Sequence, residues 1–350
     1  MSPAMTGTST LPSVQPDELE LYRRELTGYC YRMLGSGFEA EDAVQDTMLR
    51  AWRSSSQFEG RSSMRSWLYR IATNVCLDML RGRKRRARPM EMGPSSPPDT
   101  AHIGEMLPEH LWVTPIPDAR VLPEDGDPAE IAVTRDTVRL AFITALQHLP
   151  ARQRAVLIFC EVLRWQAAEV ARLLGTSVPA VNSALQRARA TLAALPDTSR
   201  PHTLAADQAA LLDRYVAAFE RYDMSSLVTL LHEDALQSMP PYAMWIRGAR
   251  DICAWMVLPG PDECRGSRLV PTRANGSPAF GQYRRDPDGG HMPWSLQVVE
   301  ISGGRISELH MFLDTAALFP AFGLPAHLPG GSPPGVKLDT RSPGDRRLTT

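Results

Sequence analysis

The sequence predicts a multidomain protein with two all-α modules followed by a C-terminal α+β domain. Three observations carry that expectation. Apolar residues recur at three- and four-residue spacing through residues 17–88 and again through 129–196. Between them, residues 89–128 hold nine prolines, eight acids and a single arginine, Arg120, with no sustained period of either kind. Beyond Pro201 the texture changes to paired helices and short runs of strand character.

With 350 residues and 43% hydrophobic content, the chain is expected to bury more than one core. Its net charge of -1 conceals strong local segregation, so local charge is more informative than the global balance. The five cysteines, Cys30, Cys76, Cys160, Cys253 and Cys264, form no CxxC or Cys/His cluster. That pattern disfavours a metal site or a disulfide framework and fits a reducing cytoplasm. The first residues lack a basic stretch followed by an apolar one, and no apolar run approaches membrane-spanning length, so neither export nor membrane insertion is expected. Residues 1–16 and 323–350 are expected to be disordered.

The first module, 17–88, opens with an amphipathic stretch from Leu19 to Leu34. A break at Gly35-Ser36-Gly37 precedes an acidic helix from Glu39 to Trp52 and a long block from Arg65. Asp42, Asp46 and Leu49 fall on one face of the acidic helix, a face that suits either a basic partner helix or plain solvation. Further on, Phe58, Trp67, Tyr69 and Asn74 lead into Arg81, Arg83, Lys84, Arg85, Arg86 and Arg88. Aromatic planes and amides can read unstacked bases, and a dense arginine run can hold phosphates. Trp67, Leu68, Ile71, Val75 and Leu80 also lie near helical spacing and equally suit a helix core. The basic run contains no acid, whereas a solvated face normally mixes both signs.

Residues 89–128 are expected to form an extended acidic linker. The second module, 129–196, contains a helix-turn-helix at 165–192. One helix ends at Leu174, Gly175 turns the chain, and Thr176 or Ser177 caps the next helix. Val178, Val181, Leu185, Ala188 and Leu192 are expected to form the buried stripe, leaving Ala180, Asn182, Ser183, Gln186, Arg187 and Arg189 outside. Asn and Gln can pair with adenine and Arg with guanine or phosphate, as in a recognition helix, although any short helical hairpin with a polar outer face looks similar. Arg152, Gln153 and Arg154 follow the Leu149-Pro150 break and suit phosphate contacts from a helix N-terminus.

In the third domain, helices are expected at Ala205 to Tyr222 and Ser225 to Leu231. Candidate strands are Ala235 to Met239, Arg268 to Ala274, Pro278 to Arg284, Trp294 to Ile301 and Arg305 to Leu313, with a Gly303-Gly304 turn joining the last two. Trp245, Trp255, Trp294, Met239, Met244 and Phe312 suffice to line an apolar pocket or to fill a core.

A base-reading helical block, a linker and a helix-turn-helix in that order resemble regions two and four of the bacterial sigma-70 superfamily, specifically its extracytoplasmic-function group. The matching residues are AEDAVQDTMLRAWRSSSQFEG, RSWLYRIATNVCLDMLRGRKRR and LPARQRAVLIFCEVLRWQAAEVARLLGTSVPAVNSALQRARATL. The resemblance implies a sigma factor that binds core RNA polymerase, through its β′ clamp and β flap, and directs initiation at promoter DNA. Asp42, Gln45, Asp46, Leu49 and Arg50 would then dock on the clamp helices. Trp67, Asn74 and Asp78, with Arg81, Arg83 and Lys84, would melt and capture the -10 element. The recognition helix, with Arg152 and Arg154, would read the -35 element. Many members carry Lys and Arg where this chain has Asn182 and Ala184, which implies a weaker phosphate grip. The acidic linker would thread the polymerase channel that RNA later occupies, or serve as an inert tether.

The segments LLDRYVAAFERYDMSSLVTLLHEDALQSMPPYAMWIRGARDICAWM and WSLQVVEISGGRISELHMFLD resemble SnoaL-like domains of the NTF2-like superfamily, over residues 204–322. Sigma factors with such an extension form a subgroup of the SigG type, in which the extension acts in cis on the sigma domains. The fold implies a cone-shaped α+β domain with a candidate ligand pocket at Tyr215, Met239, Trp245, Trp255, Trp294 and His310. Related isomerases and cyclases use an inward carboxylate as base. Asp234, His310 and Asp314, with Tyr215 as donor, are the candidates here, but they equally suit a turn residue, a satisfied sheet residue and a helix cap; no acid pair stands out and no enzymatic activity, cofactor or metal is expected. A small-molecule ligand and a separate anti-sigma factor are further candidate partners. The competing reading is a stand-alone helix-turn-helix regulator with a ligand-sensing NTF2-like domain.

Overall fold

The structure, a computed structural model, describes residues 15–55, 58, 63–99, 103–195 and 207–330. The termini expected to be disordered lie outside the described residues, apart from 15–16 and 323–330. In chain order the helices are α1 (Pro16–Glu20), α2 (Arg23–Leu34), α3 (Gly37–Arg53), α4 (Met64–Met79), α5 (Asp118–Val121), α6 (Pro128–Asp136) and α7 (Leu140–Gln147). Then come α8 (Ala151–Leu157), α9 (Ala167–Leu174), α10 (Val178–Ala193), α11 (Asp207–Arg221), α12 (Met224–Leu230), α13 (Ala249–Met256) and α14 (Thr315–Ala321). The strands are β1 (Leu231–Ser238), β2 (Trp245–Arg247), β3 (Arg268–Ala274), β4 (Ser277–Arg285), β5 (His291–Ser302) and β6 (Arg305–Phe312). Two compact units emerge: residues up to 83 with 146–194, and residues 84–145 with 195 onward.

In the first unit, Gly35 adopts a left-handed φ of 73° and closes α2, while the Ser36 side chain caps α3 by accepting from the Glu39 amide at 3.4 Å. Ser63 likewise caps α4. The buried faces of α2, α3 and α4 meet through Leu26, Tyr29, Met33, Val44, Leu68 and Ala72, all without solvent exposure. Onto this core fold α8, a π turn at Ile158–Val162, and α9 and α10. Tyr29, Tyr69, Phe159 and Trp165 form one aromatic cluster, with neighbouring centroids from 5.1 to 5.7 Å apart. Each such pair contributes about 0.5–1.5 kcal/mol beyond area burial. The helix-turn-helix is therefore packed against the first helical block within a single unit.

The second unit is built on a six-stranded sheet ordered β2-β1-β6-β5-β4-β3, antiparallel except for the parallel pair β1 and β6. Residues alternate between its two faces. One face carries Leu309, Met311, Val299 and Phe280 and meets α11, α12 and α13 through Tyr215, Phe219 and Ile252. On the opposite face stand Val298, Glu300, Glu308 and His310, in register across β5 and β6.

The second unit also takes in the segment 89–128, which corrects the expectation of an extended linker there. Trp112, Val113, Ile116, Val121 and Leu122 are all buried, an apolar set that carries no helical or strand period and so escapes a periodicity reading. Backbone bonds fix the segment: Ala87 N to Leu111 O at 2.8 Å, Ser96 N to Trp245 O at 2.7 Å, and Asn275 N to Ile116 O at 3.1 Å. Short bridges pair Ala87 with Trp112, Met106 with Tyr242 and Pro117 with Ala274. The prolines remove donors and exclude regular ladders, but they leave carbonyls that the domain can bond. The boundary at 129 shifts as well, because residues 129–145 group with the second unit and only 146 onward with the helix-turn-helix.

Other differences are local. Strand β2 is only three residues long, too short for a readable period, whereas α13 buries Ala249, Ile252, Cys253 and Met256 at helical spacing that the sequence reading passed over. Residues 323–330 are folded: His291 and Leu328 exchange two backbone bonds of 2.9 Å, and the Tyr283 hydroxyl donates to the Pro325 carbonyl at 2.8 Å. Exposed Val178 sits in the first turn of α10 rather than in its buried stripe, where Val181 and Ala188 lie.

Candidate functional site

Helix α3 buries Ala43, Val44, Thr47, Met48 and Ala51, which leaves Asp42, Gln45, Leu49 and Arg50 on its solvent side with Asp46 half-buried beside them. Leu49 is 45% exposed, and Trp52, one turn further on, is 57% exposed. Trp52 is absent from the sequence-based set, although its spacing from Leu49 could have found it. Two large apolar side chains thus stand in water beside the acids of this face. Arg50 pairs with Asp46 at 2.8 Å and reaches Asp78 of α4 at 4.0 Å, linking the two helices' exposed faces.

On α4, Asn74 and Asp78 are exposed, as is Arg70 one turn earlier. Together with Arg81, bonded to Asp78 at 3.0 Å, they form a polar stripe along one side of the helix. Arg70 was missed, though it stands four residues before Asn74. Trp67 is not on this stripe. It is 6% exposed and packs on Phe58, with centroids 5.0 Å apart, so its ring serves the core.

The basic run is also divided by the fold. The helix ends at Met79, and Gly82, with φ of 73°, turns the chain away. Arg83 pairs with Glu39, while Lys84 stays exposed. In the second unit Arg85 pairs with Glu91 at 2.9 Å, and buried Arg86 donates to the carbonyls of Glu109 at 2.9 Å and Trp112 at 2.6 Å. Buried Arg88 pairs with Glu308 at 3.1 Å. Arg86 and Arg88 thus act as structural cations, bonded to carbonyl and carboxylate acceptors that a linear reading could not supply.

In the helix-turn-helix, Gly175 takes φ of 60° and the Ser177 side chain accepts from the Ala180 amide at 3.3 Å. Ala180, Asn182, Ser183, Gln186, Arg187 and Arg189 are all exposed. Arg187 donates to Ser183 Oγ at 2.6 Å, and Arg189 pairs with Glu161. Arg152 is exposed, but Arg154 is buried. Its guanidinium donates to the carbonyls of Met33, Gln147 and Leu149 and to Gln147 Oε1, and burial pulls its pKa down to about 10. Buried with both Nη atoms bonded inside the protein, it is out of reach of a phosphate.

The six residues of the expected ligand pocket do not line one cavity. Tyr215, Met239 and Trp255 belong to the core under α11–α13, where the Tyr215 hydroxyl donates to Gln297 Oε1 at 2.7 Å and burial raises its pKa. Trp245 instead donates through Nε1 to the Gly93 carbonyl at 2.9 Å, and Trp294 lies 3.2 Å beneath the Arg284 guanidinium. His310 is on the opposite face, with Nδ1 2.9 Å from Ser238 Oγ and Nε2 2.9 Å from Glu308. Alternation along β6 separates it from the core face. A cavity of about 360 Å³ lies elsewhere, beside Glu220, Ser267, Arg268, Arg285, Asp286 and His291. The acid-base candidates are dispersed too: Asp234 is exposed on β1, and Asp314 caps α14 by accepting from Ala317 N at 3.3 Å.

Comparison with known proteins bears on these surfaces. Residues 19–86 match the Sigma-70 region 2 family and residues 139–192 match the family Sigma-70, region 4. The ECF RNA polymerase sigma factor SigG of Mycobacterium tuberculosis (strain H37Rv) is 47% identical over 313 residues, spanning 88% of this chain and 83% of that protein. ECF RNA polymerase sigma factor SigJ of the same strain is 29% identical over 226 residues, 63% of each. The crystal structure of M. tuberculosis SigJ superposes with a TM-score of 0.55 at 22% identity, covering 89% of this chain and 100% of that one, a likeness of fold. The chain belongs to the extracytoplasmic-function group of the sigma-70 family, the RNA polymerase sigma factors that bring the enzyme to promoter DNA and start transcription there.

Proposed function

We propose that this sigma factor engages the polymerase β′ clamp through the exposed face of α3, at Asp42, Gln45, Asp46, Leu49 and Arg50 with Trp52 added. The observation that carries this reading is the exposure of Leu49 and Trp52 beside carboxylates on one helix face. An apolar centre with a charged rim is the usual anatomy of a protein interface. A stand-alone regulator would have no use for that face.

The stripe Arg70, Asn74, Asp78 and Arg81, with Arg83 and Lys84, takes the -10 element, and Trp67 supports it from within the core. Helix α10 reads the -35 element in the major groove through Asn182, Ser183, Gln186, Arg187 and Arg189, with Ala180 offering apolar contact and Arg152 holding phosphate. Region 4 also meets the β flap. The C-terminal domain regulates in cis, a reading supported by its hold on the segment that joins the two sigma regions.

Run-off transcription with purified core polymerase tests this reading, comparing the full chain, a truncation ending near Pro201, and Leu49→Ala/Trp52→Ala. The full chain should give RNA from discrete start sites, the truncation a changed yield, and the double variant at least tenfold weaker core binding. Sequence-specific DNA binding with no initiation would favour the stand-alone regulator instead, and an unaltered yield from the truncation would remove the cis-regulatory role.

A further inference from the structure

Arg164 holds a backbone conformation that its residue type disfavours. It lies between the π turn at Ile158–Val162 and α9, with φ of 59°, in the left-handed region that glycine enters freely and other residues enter under strain. Its neighbours impose that angle. The Trp165 amide reaches back to the Phe159 carbonyl at 2.9 Å, and the Trp165 ring is packed on Tyr69 and Phe159 with centroids 5.3 and 5.1 Å away. Glycine is the usual occupant where a chain leaves a helix in this way. Gly35 and Gly175 take such values at the ends of α2 and α9, whereas Arg164 is the one non-glycine residue with positive φ among the described residues of this unit. The π turn before it is a rare geometry of the kind that recurs at functional sites. Backbone strain that a glycine would relieve points to a use for the side chain.

That side chain is a cation, 71% exposed. Its ion-pair partner is Glu161 of the π turn, with Nη1 3.8 Å from Oε2, beyond hydrogen-bond length. The other oxygen of the same carboxylate, Oε1, accepts from Arg189 Nε at 3.0 Å and from Arg189 Nη2. Arg189 stands on α10 and is 61% exposed. One carboxylate thus sits between two arginines, one from the turn ahead of the helix-turn-helix and one from its second helix, and the three groups carry one positive charge together. Exposed ion pairs of this kind add little to stability, so the carboxylate is readily exchanged for another anion. A phosphate matches the guanidinium fork as a carboxylate does.

We propose that Arg164 and Arg189 form a clamp for one phosphate of the promoter backbone beside the -35 element, and that Glu161 occupies the place of that phosphate until DNA arrives. Backbone phosphates flank a helix lying in the major groove, so a cation on the turn beside α10 meets phosphate rather than base edges. Such a contact fixes register and adds grip without reading sequence. Exchange of Glu161 for a phosphate releases counterions from the duplex, which makes Glu161 a determinant of affinity for every -35 sequence alike. The clamp rests on the placing of α10 in the major groove proposed above.

The test titrates labelled promoter duplexes, with the preferred and with a scrambled -35 element, against core polymerase carrying the full chain or its variants. Fluorescence anisotropy is read at several salt concentrations. Glu161→Gln should tighten binding to both duplexes severalfold. Arg164→Gly and Arg164→Gln should weaken both severalfold and lower the slope of log affinity against log salt by about one. Arg164→Gly should also raise the melting temperature of the full chain, because it relieves the left-handed backbone, whereas Arg164→Gln keeps the strain and isolates the charge. Adding Arg164→Gln to Glu161→Gln should cancel most of the gain. Native slopes in both Arg164 variants would overturn the clamp, and native affinity in Glu161→Gln would overturn the exchange of anions. An effect confined to the preferred duplex would make Arg164 a reader of bases and remove the phosphate assignment. Asn182→Ala in the same titration separates the two readings. Lost discrimination there beside native slopes in the Arg164 variants sinks the clamp alone, and no change in any variant removes the placing of α10 as well.

Discussion

Arg154, near the start of α8, donates to the carbonyl of Met33 in the last turn of α2. The contact joins sigma region 4 to region 2 and uses a cation whose sequence position suggested a phosphate. Because carbonyls of Met33, Gln147 and Leu149 share this one guanidinium, Arg154→Ala would strand several buried acceptors at once. Urea unfolding should show a loss of roughly 3 kcal/mol, the scale of charged hydrogen bonds that leave acceptors unmet. Arg152→Ala, at an exposed neighbour, should stay within about 0.5 kcal/mol of the native chain while weakening DNA binding.

On α10 the side chains proposed to read bases and those proposed to hold backbone should separate in a binding assay. Asn182→Ala and Gln186→Ala should each lose about 1–3 kcal/mol of discrimination between the preferred and a mutated -35 sequence. Arg187→Ala should weaken all sequences alike and lower the slope of log affinity against log salt by about one. Fluorescence anisotropy at several salt concentrations checks both, and an equal loss of specificity from all three would overturn the division.

Tyr215→Phe removes the donor to Gln297 Oε1 in the core beneath α11. Since the amide nitrogen of Gln297 is bonded to Gln282 Oε1 at 2.9 Å, the residue has little freedom to turn and find another partner. A cost of about 1–2 kcal/mol is expected in thermal melting, with run-off activity unchanged well below the midpoint. A large loss of activity without loss of stability would instead return Tyr215 to a functional role.

Burial raises the Cys253 thiol to about 11 and the Tyr283 hydroxyl to about 12. Both folded values lie above the unfolded ones of 9 and 10, so the folded state holds protons that the unfolded chain has released. Their contribution to stability is complete below pH 9 and is lost as pH rises through about 11 to 12. The melting temperature of the C-terminal unit should therefore fall over that interval, and Cys253→Ala should flatten the first part of the decline.

Regular periodicity made the first module and the helix-turn-helix legible. The Gly35 break, the Gly175 turn and the Ser177 cap act over a few residues, so they stand in the sequence as they stand in the fold. The exposed faces of α3 and α10 were readable for the same reason, since a helix distributes its neighbours by a fixed angle. Residues 89–127 were not readable, although the helical spacing from 129 onward was. Trp112, Val113 and Ile116 are buried with no period to announce it, and Ile116 bonds Asn275 far along the chain.

Charges divided in the same way. Asp46 and Arg50, one turn apart, pair as spacing alone requires, whereas Arg86, Arg88, Arg139 and Arg154 find acceptors far away in sequence. By itself the sequence determined the main helices of the two sigma modules, the Gly175 turn with the Ser177 cap, and the family. Only the tertiary structure decided which arginines are buried and which stay exposed, that Trp67 and Tyr215 serve cores, and that the inter-region segment belongs with the C-terminal sheet domain. Local pattern encodes interactions between residues a few positions apart, while the partners of a buried cation or an irregular apolar run are set by which distant strands the fold brings beside them.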